Sequence, residues 1–335
     1  MTGHAPRVGI IGTGSHLPPQ ILDNHALAER YGCSEDWILS RTGIRERRFV
    51  EPGTGASDLG VEAARRALES AGIGPGDIDL LVCATYTPDM AFPSTACLIQ
   101  EKLGAKPAAA FDLQAACSGF VYALVTAAQF VLASGIKHAL VVASDVNSSI
   151  VDPEDRKVTP LFGDGAGAVV VSKVNHGTGM LSWHLGADGG GGGLFYMPAG
   201  GSRRPATAET VAGREHYIRM DGPSLFRFGV EAMVQASRTA LQGAGLGVDD
   251  VDLFIPHQAN LRIISAGLDR LGIPESKTLI TLDRLANTAA ATIPIALDQA
   301  VRDGRLVPGM TVLLTGFGAG LTWGASVLRW TGSPR

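Results

Sequence analysis

The chain repeats itself. Ala63–Leu80 (AARRALESAGIGPGDIDL) aligns without gaps on Ala236–Leu253 (ASRTALQGAGLGVDDVDL) at a constant offset of 173 residues. Identities include Arg65/Arg238, Leu68/Leu241, Gly72/Gly245, Gly74/Gly247, Asp77/Asp250 and Asp79/Asp252. Each copy reads as a helix stopped by glycine, an Asp-x-Asp turn and a buried strand. A second echo sets Gly163–Ala168 (GDGAGA) against Gly316–Leu321 (GFGAGL). A period of half the chain is no solenoid, whose repeats run to roughly 20–50 residues. It implies two similar halves, 1–175 and 176–335, packed about a pseudo-two-fold axis, with the site expected where they meet.

Between the repeats, apolar runs alternate with Ala-rich helical stretches. Strands are predicted at Val8–Ile11, Leu80–Ala84, Ala139–Ala143, Ala168–Val171, Leu253–Pro256 and Val312–Thr315. Helices are predicted at Ala56–Ala71, Ser94–Leu103, Cys117–Ala133, Pro223–Ala244, Leu261–Leu271 and Ala289–Arg302. Continuous apolar strands between helices predict an α/β chain whose sheets are covered on both faces. The net charge of −4, with no long run of either sign, argues against nucleic acid or a membrane surface as partner. No uninterrupted apolar stretch is read as a membrane span, and Met1–Arg7 lacks a secretory h-region, so a cytoplasmic location is expected. The four cysteines form no Cys-x-x-Cys pair, so neither a metal site nor a disulfide framework is expected. Cys83 and Cys97 read as small buried hydrophobes.

Four segments carry reactive groups. In Asp112–Phe120 (DLQAACSGF) an apolar strand, Ala108–Leu113, turns into a long helix opened by Cys117. A thiol at a helix N-terminus meets the positive end of the dipole and free N–H groups, which predicts a lowered pKa. The same residue also fits a packing cysteine. In Phe254–Asn260 (FIPHQAN), His257 follows a strand and a proline. A structural histidine fits there too, although polar Gln258 and Asn260 stand where a core wants apolar groups. In Asp283–Ala291 (DRLANTAAA), Asn287 is either an N-cap or a group reachable past very small neighbours. Gly316–Gly320 (GFGAG) lacks the Gly-Lys-Ser/Thr of a phosphate loop, and reads as an ordinary turn or as a bare N–H for an oxyanion. The basic cluster Arg41–Arg48 is a solvated loop or a phosphate contact. Gly189–Gly193 reads as a flexible loop. A dinucleotide fingerprint fails, because its third glycine would fall on Leu17.

Cys117, His257 and Asn287, in that order and in these contexts, resemble the beta-ketoacyl-acyl-carrier-protein synthase III family of the thiolase superfamily. The resemblance runs nearly end to end through GTGSHLPP, DWILSRTGIRERR, FPSTACLIQ, DLQAACSGF, LFGDGAGAVV, PHQANLRII, DRLANTAAATIP and GFGAGLTWGA. It implies a five-layered α/β/α/β/α thiolase-like fold, with the nucleophile on the first half and His257 and Asn287 on the second, and a homodimer. It implies an acyltransferase that condenses an acyl-CoA starter, acetyl-CoA or a similar short one, with malonyl-acyl carrier protein. Cys117 would carry the acyl group, with the N–H groups of Cys117 and Ala319 as oxyanion hole. His257 and Asn287 would donate to the malonyl thioester carbonyl. Trp37, Arg41, Thr42, Arg156 and Phe226 would bind CoA. Arg227, Arg262 and Arg270 would meet the carrier protein, and Phe92 would reach the acyl pocket of the dimer mate. No metal or bound cofactor is implied, CoA thioester being a substrate.

Two positions depart from the family pattern: Pro223, where asparagine is usual, and Ala319, where glycine is common. With the arginine-rich segment Leu194–Arg214, Pro223 motivates an alternative, a paralogue priming polyketide or other secondary-metabolite synthesis. A carrier-protein-binding module without catalysis and a thioesterase are further readings. The first conflicts with the complete Cys117/His257/Asn287 set. A thiolase would need a second cysteine in the C-terminal glycine loop, where Phe317 stands.

Overall fold

The computed structural model describes residues 7–332 apart from residue 134. Its strands are β1 Arg7–His16, β2 Ile21–Asp23, β3 Glu46–Arg48, β4 Leu80–Ala84, β5 Ala109–Leu113, β6 His138–Asp145, β7 Gly165–Val174, β8 Gly179–Ala187, β9 Phe195–Tyr196, β10 Arg219–Met220, β11 Leu253–Pro256, β12 Thr311–Gly318 and β13 Thr322–Arg329. Its helices are α1 Asn24–Tyr31, α2 Glu35–Thr42, α3 Ala56–Ala71, α4 Thr95–Leu103, α5 Gly119–Ala133, α6 Ala208–Ala212, α7 Gly222–Ala244, α8 Leu261–Leu271, α9 Leu282–Leu285 and α10 Thr292–Arg302.

The repeat is structural down to single hydrogen bonds. Helices α3 and α7 end at Gly72 and Gly245, both with φ +69°, a left-handed conformation that glycine adopts without strain. The carboxylates of Asp77 and Asp250 accept from Gly74 N and Gly247 N, each at 2.8 Å. Asp79 accepts from Lys137 N at 2.7 Å, and Asp252 from Thr311 N at 2.8 Å. Each aspartate thus ties the start of one strand to the entry of its neighbour. The conserved pattern in the two copies is turn chemistry.

Two main sheets result, ordered β1-β7-β6-β4-β5 and β11-β12-β13-β8. At the repeat offset β4 corresponds to β11 and β6 to β12; β4 and β6 are parallel neighbours in one sheet, as β11 and β12 are in the other. An antiparallel strand follows in each sheet, β7 or β13. Helices α5 and α10 lie between the sheets in one apolar cluster with Val141, Val169, Val312 and Leu314. Helices α3 and α4 cover the outer face of the first sheet. Helices α7 and α8 cover the outer face of the second. The layers are therefore α/β/α/β/α, as the resemblance implied.

The segment Ala116–Ala133 is long and apolar enough to cross a membrane by composition, and it supplies the central helix α5, packed between the two sheets. Three expectations need correction. Cys97 is exposed on α4 beside edge strand β5, while Cys83 is buried. Gly189–Leu194 is a 3-10 turn opened by Asp188, whose carboxylate accepts from Gly190 N at 2.9 Å, so the glycine run has a defined turn. The GDGAGA/GFGAGL echo does not mark equivalent positions: Gly165 opens β7, whereas Gly316 and Gly318 close β12.

Candidate active site

Strand β5 ends at Leu113, and the chain must turn sharply to enter α5. Ala116 makes that turn with φ +45°, strained for a residue carrying Cβ. Cys117 sits in the following 3-10 turn, Ala116–Ser118, one residue short of the helix proper. This strand-turn-helix elbow is clamped by the other half. The Ser118 hydroxyl lies 2.7 Å from the Ala115 carbonyl and 2.8 Å from Thr322 Oγ1. The Thr322 hydroxyl in turn lies 3.0 Å from the Ala115 carbonyl and 2.9 Å from that of Ala319. Strand β12 passes directly against the elbow. A Cβ on Gly318 would stand 2.6 Å from Cys117 N, and one on Gly316 2.9 Å from Ser118 Cα. Both glycines are required by backbone approach.

The environment of Cys117 reverses the expected pKa shift. The residue is 3% exposed, and burial, with Asp145 nearby, pushes the thiol well above its ordinary value. Its own backbone N–H works the other way but is outweighed. At rest Cys117 is held as a thiol.

His257 follows β11, its N–H donating to the Thr315 carbonyl at 2.7 Å. The ring is buried, with the edge of Phe317 at 5.1 Å between centroids. Burial lowers its pKa to about 3, so it is a neutral imidazole. Its polar neighbours have structural work. Gln258 Oε1 accepts from Thr281 N at 2.8 Å and Leu282 N at 3.0 Å, and its Nε2 donates to the Leu279 carbonyl at 3.0 Å. Asn260 caps α8 and donates to the Arg41 carbonyl at 3.0 Å. They are not part of the catalytic signal that the sequence suggested. Asn287 Oδ1 accepts from Ala289 N at 2.8 Å, while its own N–H donates to the Leu161 carbonyl at 2.9 Å. The N-cap expectation needs correction: the N-cap of the turn Ala289–Ala291 is Thr288, and the Asn287 oxygen instead closes a local turn onto Ala289 N, leaving its NH2 as the group the side chain can offer the cavity.

Cys117, His257, Asn287 and Ala319 line one cavity of about 550 Å³, walled by Phe162, Leu225, Phe226, Phe228, Ile263 and Phe317. Arg41, Leu161 and Asn260 belong both to it and to an adjoining cleft of about 340 Å³ that holds Trp37, Thr42 and Arg156. The guanidinium groups of Arg41 and Arg156 stand 4.5 and 5.7 Å from the Trp37 ring centroid. The Thr42 hydroxyl is engaged internally, donating to the Ile38 carbonyl at 2.8 Å. Pro223 lies in the first turn of α7, where a missing N–H costs nothing. A further cavity of about 290 Å³ shares Ala319 and Phe195 with the first and adds Tyr86, Ile150, Tyr196 and Met197. The arginines of the Leu194–Arg214 segment are partly neutralised, Arg204 pairing with Glu215 and Arg214 with Asp152. Arg227, Arg262 and Arg270 are on the surface, and Arg262 donates to the Ser40 carbonyl at 3.0 Å. Phe92 is 85% exposed and lines none of these cavities. The sequence reading missed Asp145, although an acidic residue closing the apolar run ALVVASD was a usable signal.

The chain is similar to known proteins along most of its length. A family model for 3-oxoacyl-[acyl-carrier-protein] synthase III matches residues 111–189, and its C-terminal counterpart matches residues 241–330. A beta-ketoacyl-[acyl-carrier-protein] synthase III of Desulfitobacterium hafniense (strain Y51) is 52% identical over 324 residues, 97% of this chain and 98% of that protein. The crystal structure of the 3-oxoacyl-[acyl-carrier-protein] synthase III of Aquifex aeolicus VF5 is similar with a TM-score of 0.89 at 42% identity, over 96% of this chain and 100% of that one. The priming beta-ketosynthase of a polyketide biosynthetic pathway is similar with a TM-score of 0.91 at 39% identity, over 100% of this chain and 99% of that one. The chain belongs to the beta-ketoacyl-acyl-carrier-protein synthase III family, a family of condensing acyltransferases with the thiolase fold.

Proposed function

We propose that the chain condenses a short acyl-CoA with malonyl-acyl carrier protein, with loss of CO2, and so starts fatty-acid synthesis. The observation that carries this reading is the convergence of Cys117 from one half and His257 with Asn287 from the other on one mostly apolar cavity. The Cys117 sulfur attacks the acyl-CoA carbonyl. The tetrahedral oxyanion is held by the N–H groups of Cys117 and Ala319. The carbonyl reforms, the bond to the CoA sulfur breaks, and CoA leaves with a proton. The malonyl thioester then enters and loses CO2. Its enolate oxygen is stabilised by His257 and Asn287, and its carbon attacks the acyl-cysteine. The 3-ketoacyl thioester departs and Cys117 regains a proton. A neutral imidazole suits this role, because it donates a hydrogen bond without needing to ionise. On this reading the thiol gives up its proton as the sulfur attacks, in keeping with a thiol that burial holds neutral.

Trp37, Arg41, Thr42, Arg156 and Phe226 are assigned to CoA; stacking on Trp37 and the two adjacent guanidinium groups suit a nucleotide with phosphates. Arg227, Arg262 and Arg270 are assigned to the acidic carrier protein. Phe92, strongly exposed for its size, is assigned to the acyl pocket of a dimer mate. The reading uses no resident metal or cofactor, a cytoplasmic enzyme, and halves divided near residue 175. A second reading, the priming of a polyketide with an unusual starter, is favoured by the likeness to the priming ketosynthase and by Pro223. Intact mass spectrometry after incubation with a panel of acyl-CoAs tests both. A mass gain on Cys117 supports the acyl-enzyme, and the best donor chooses between the readings. No gain with any thioester would overturn both.

A further inference from the structure

The internal repeat places a mirrored set of residues beside the catalytic one. At the offset of 173 residues Cys117 corresponds to Ala290, and the turn Ala116–Ser118 to the turn Ala289–Ala291. The left-handed Ala116 corresponds to Ala289, which is also left-handed with φ +51°. His257 corresponds to Ala84. Gly318, the last residue of β12, corresponds to Asp145, the last residue of β6. The two sides differ in what meets the N–H of the elbow. On the catalytic side Gly318 has no side chain to set against Cys117 N, which a Cβ there would approach to 2.6 Å. On the mirrored side the Asp145 carboxyl fills that place, and its Oδ2 accepts from Ala290 N at 3.0 Å.

Asp145 is 0% exposed. Its Oδ1 accepts from Thr85 Oγ1 and Tyr86 N, both at 3.0 Å, and from Thr87 Oγ1 at 3.1 Å. Among the described residues it has no ion-pair partner. Two backbone N–H groups approach different oxygens, so the position needs an acceptor on each; asparagine offers only one. A buried carboxyl without a cation is costly, and here burial raises its pKa to about 7. Its retention calls for a use.

Asn287 supplies one. It lies between Ala286, φ +57°, and Ala289, φ +51°. Such backbone costs about 1–3 kcal/mol per residue and persists only where the surroundings hold it. The holding contacts come from the end of β6. Ala289 N fixes the Asn287 side-chain oxygen, and the next N–H, of Ala290, is fixed by Asp145. Asn147, also fully buried, donates from Nδ2 to the Gly163 carbonyl at 2.5 Å and the Asn287 carbonyl at 3.4 Å.

We propose that Asp145, filling the mirror image of the oxyanion position, is a positioning residue that with Asn147 fixes the Asn287 amide for malonyl decarboxylation. The proposal rests on the role given to Asn287 above. Its test separates the two half-reactions. In Asp145→Asn an NH2 faces Ala290 N–H. Acylation of Cys117 should stay within about threefold of wild type, since removing a nearby anion does not hinder a developing thiolate. Decarboxylation by the pre-acylated enzyme should fall about thirtyfold in kcat, with little change in KM for malonyl-carrier protein. Asn147→Ala should fall about tenfold in the same half-reaction alone. Equal losses in both half-reactions, or no loss in either, overturn the proposal. If Asp145→Asn does not fold, Asn147→Ala decides by the same criterion. A wild-type enzyme that acylates but never decarboxylates malonyl thioester overturns the functional reading itself.

Discussion

Cys117 and His257 are both held in their neutral forms, and for one reason: each is buried where charge is poorly solvated. Two consequences can be measured. The His257 ring should show no titration in its NMR shifts between about pH 5 and pH 8, whereas an unperturbed imidazole would titrate there. A midpoint near the ordinary 6.5 would overturn the neutral-donor role. Linkage has a definite sign here. The folded pKa is depressed, so below 6.5 the unfolded chain binds the proton that the folded one refuses. The contribution is therefore present above pH 6.5 and is lost as pH falls towards about 3; the acid-side slope should shrink in His257→Gln, read by chemical denaturation. The second measurement is alkylation of Cys117 by iodoacetamide in the absence of substrate. Its rate should still be climbing at the ordinary thiol pKa of 9.0. A plateau below about pH 8 would restore the activated thiolate that the helix position alone suggests.

At the scale of elements, the strands and helices were legible where the repeat reported them twice. The predicted bounds of α3, β4 and β11 coincide with the structure, and those of α8, outside the repeat, do so too. The elbow was less legible. That Cys117 lies in a 3-10 turn depends on Ala116 at positive φ and on β12, some 200 residues away, crossing with Gly318 against its backbone. Local propensity cannot report such a contact. Cys117, His257 and Asn287 were singled out because their contexts resemble a family, and they line one cavity; Gln258 and Asn260, polar for structural reasons, misled local reasoning. Asp145 escaped because its partners come from the loop after β4 and from the Asn287 turn. Gly318→Ala tests the crossing. Its methyl meets backbone, which cannot swing aside, so we expect destabilisation of about 1–3 kcal/mol by denaturant melts. Acylation of Cys117 should fall at least about tenfold, because the elbow must move.

The two halves are joined by one core. Helices α5 and α10 share a core to which both sheets contribute, so neither half can bury its inner face alone. A fragment ending at residue 175 should expose that face and fail to melt cooperatively, and the full chain should give a single calorimetric transition. Two independent transitions would show that the halves are autonomous. Phe92 tests assembly: if a second chain covers it, sedimentation should report a dimer, and Phe92→Ala should change the preferred starter length more than the rate with the best starter. The adjacency of the Trp37 cleft and the cavity, with Arg41 and Asn260 lining both, has a bearing on traffic. On the proposed reading, two long pantetheine arms visit the same sulfur by the same lane. They must take turns, and the acyl group parked on Cys117 is what lets the first carrier leave before the second arrives.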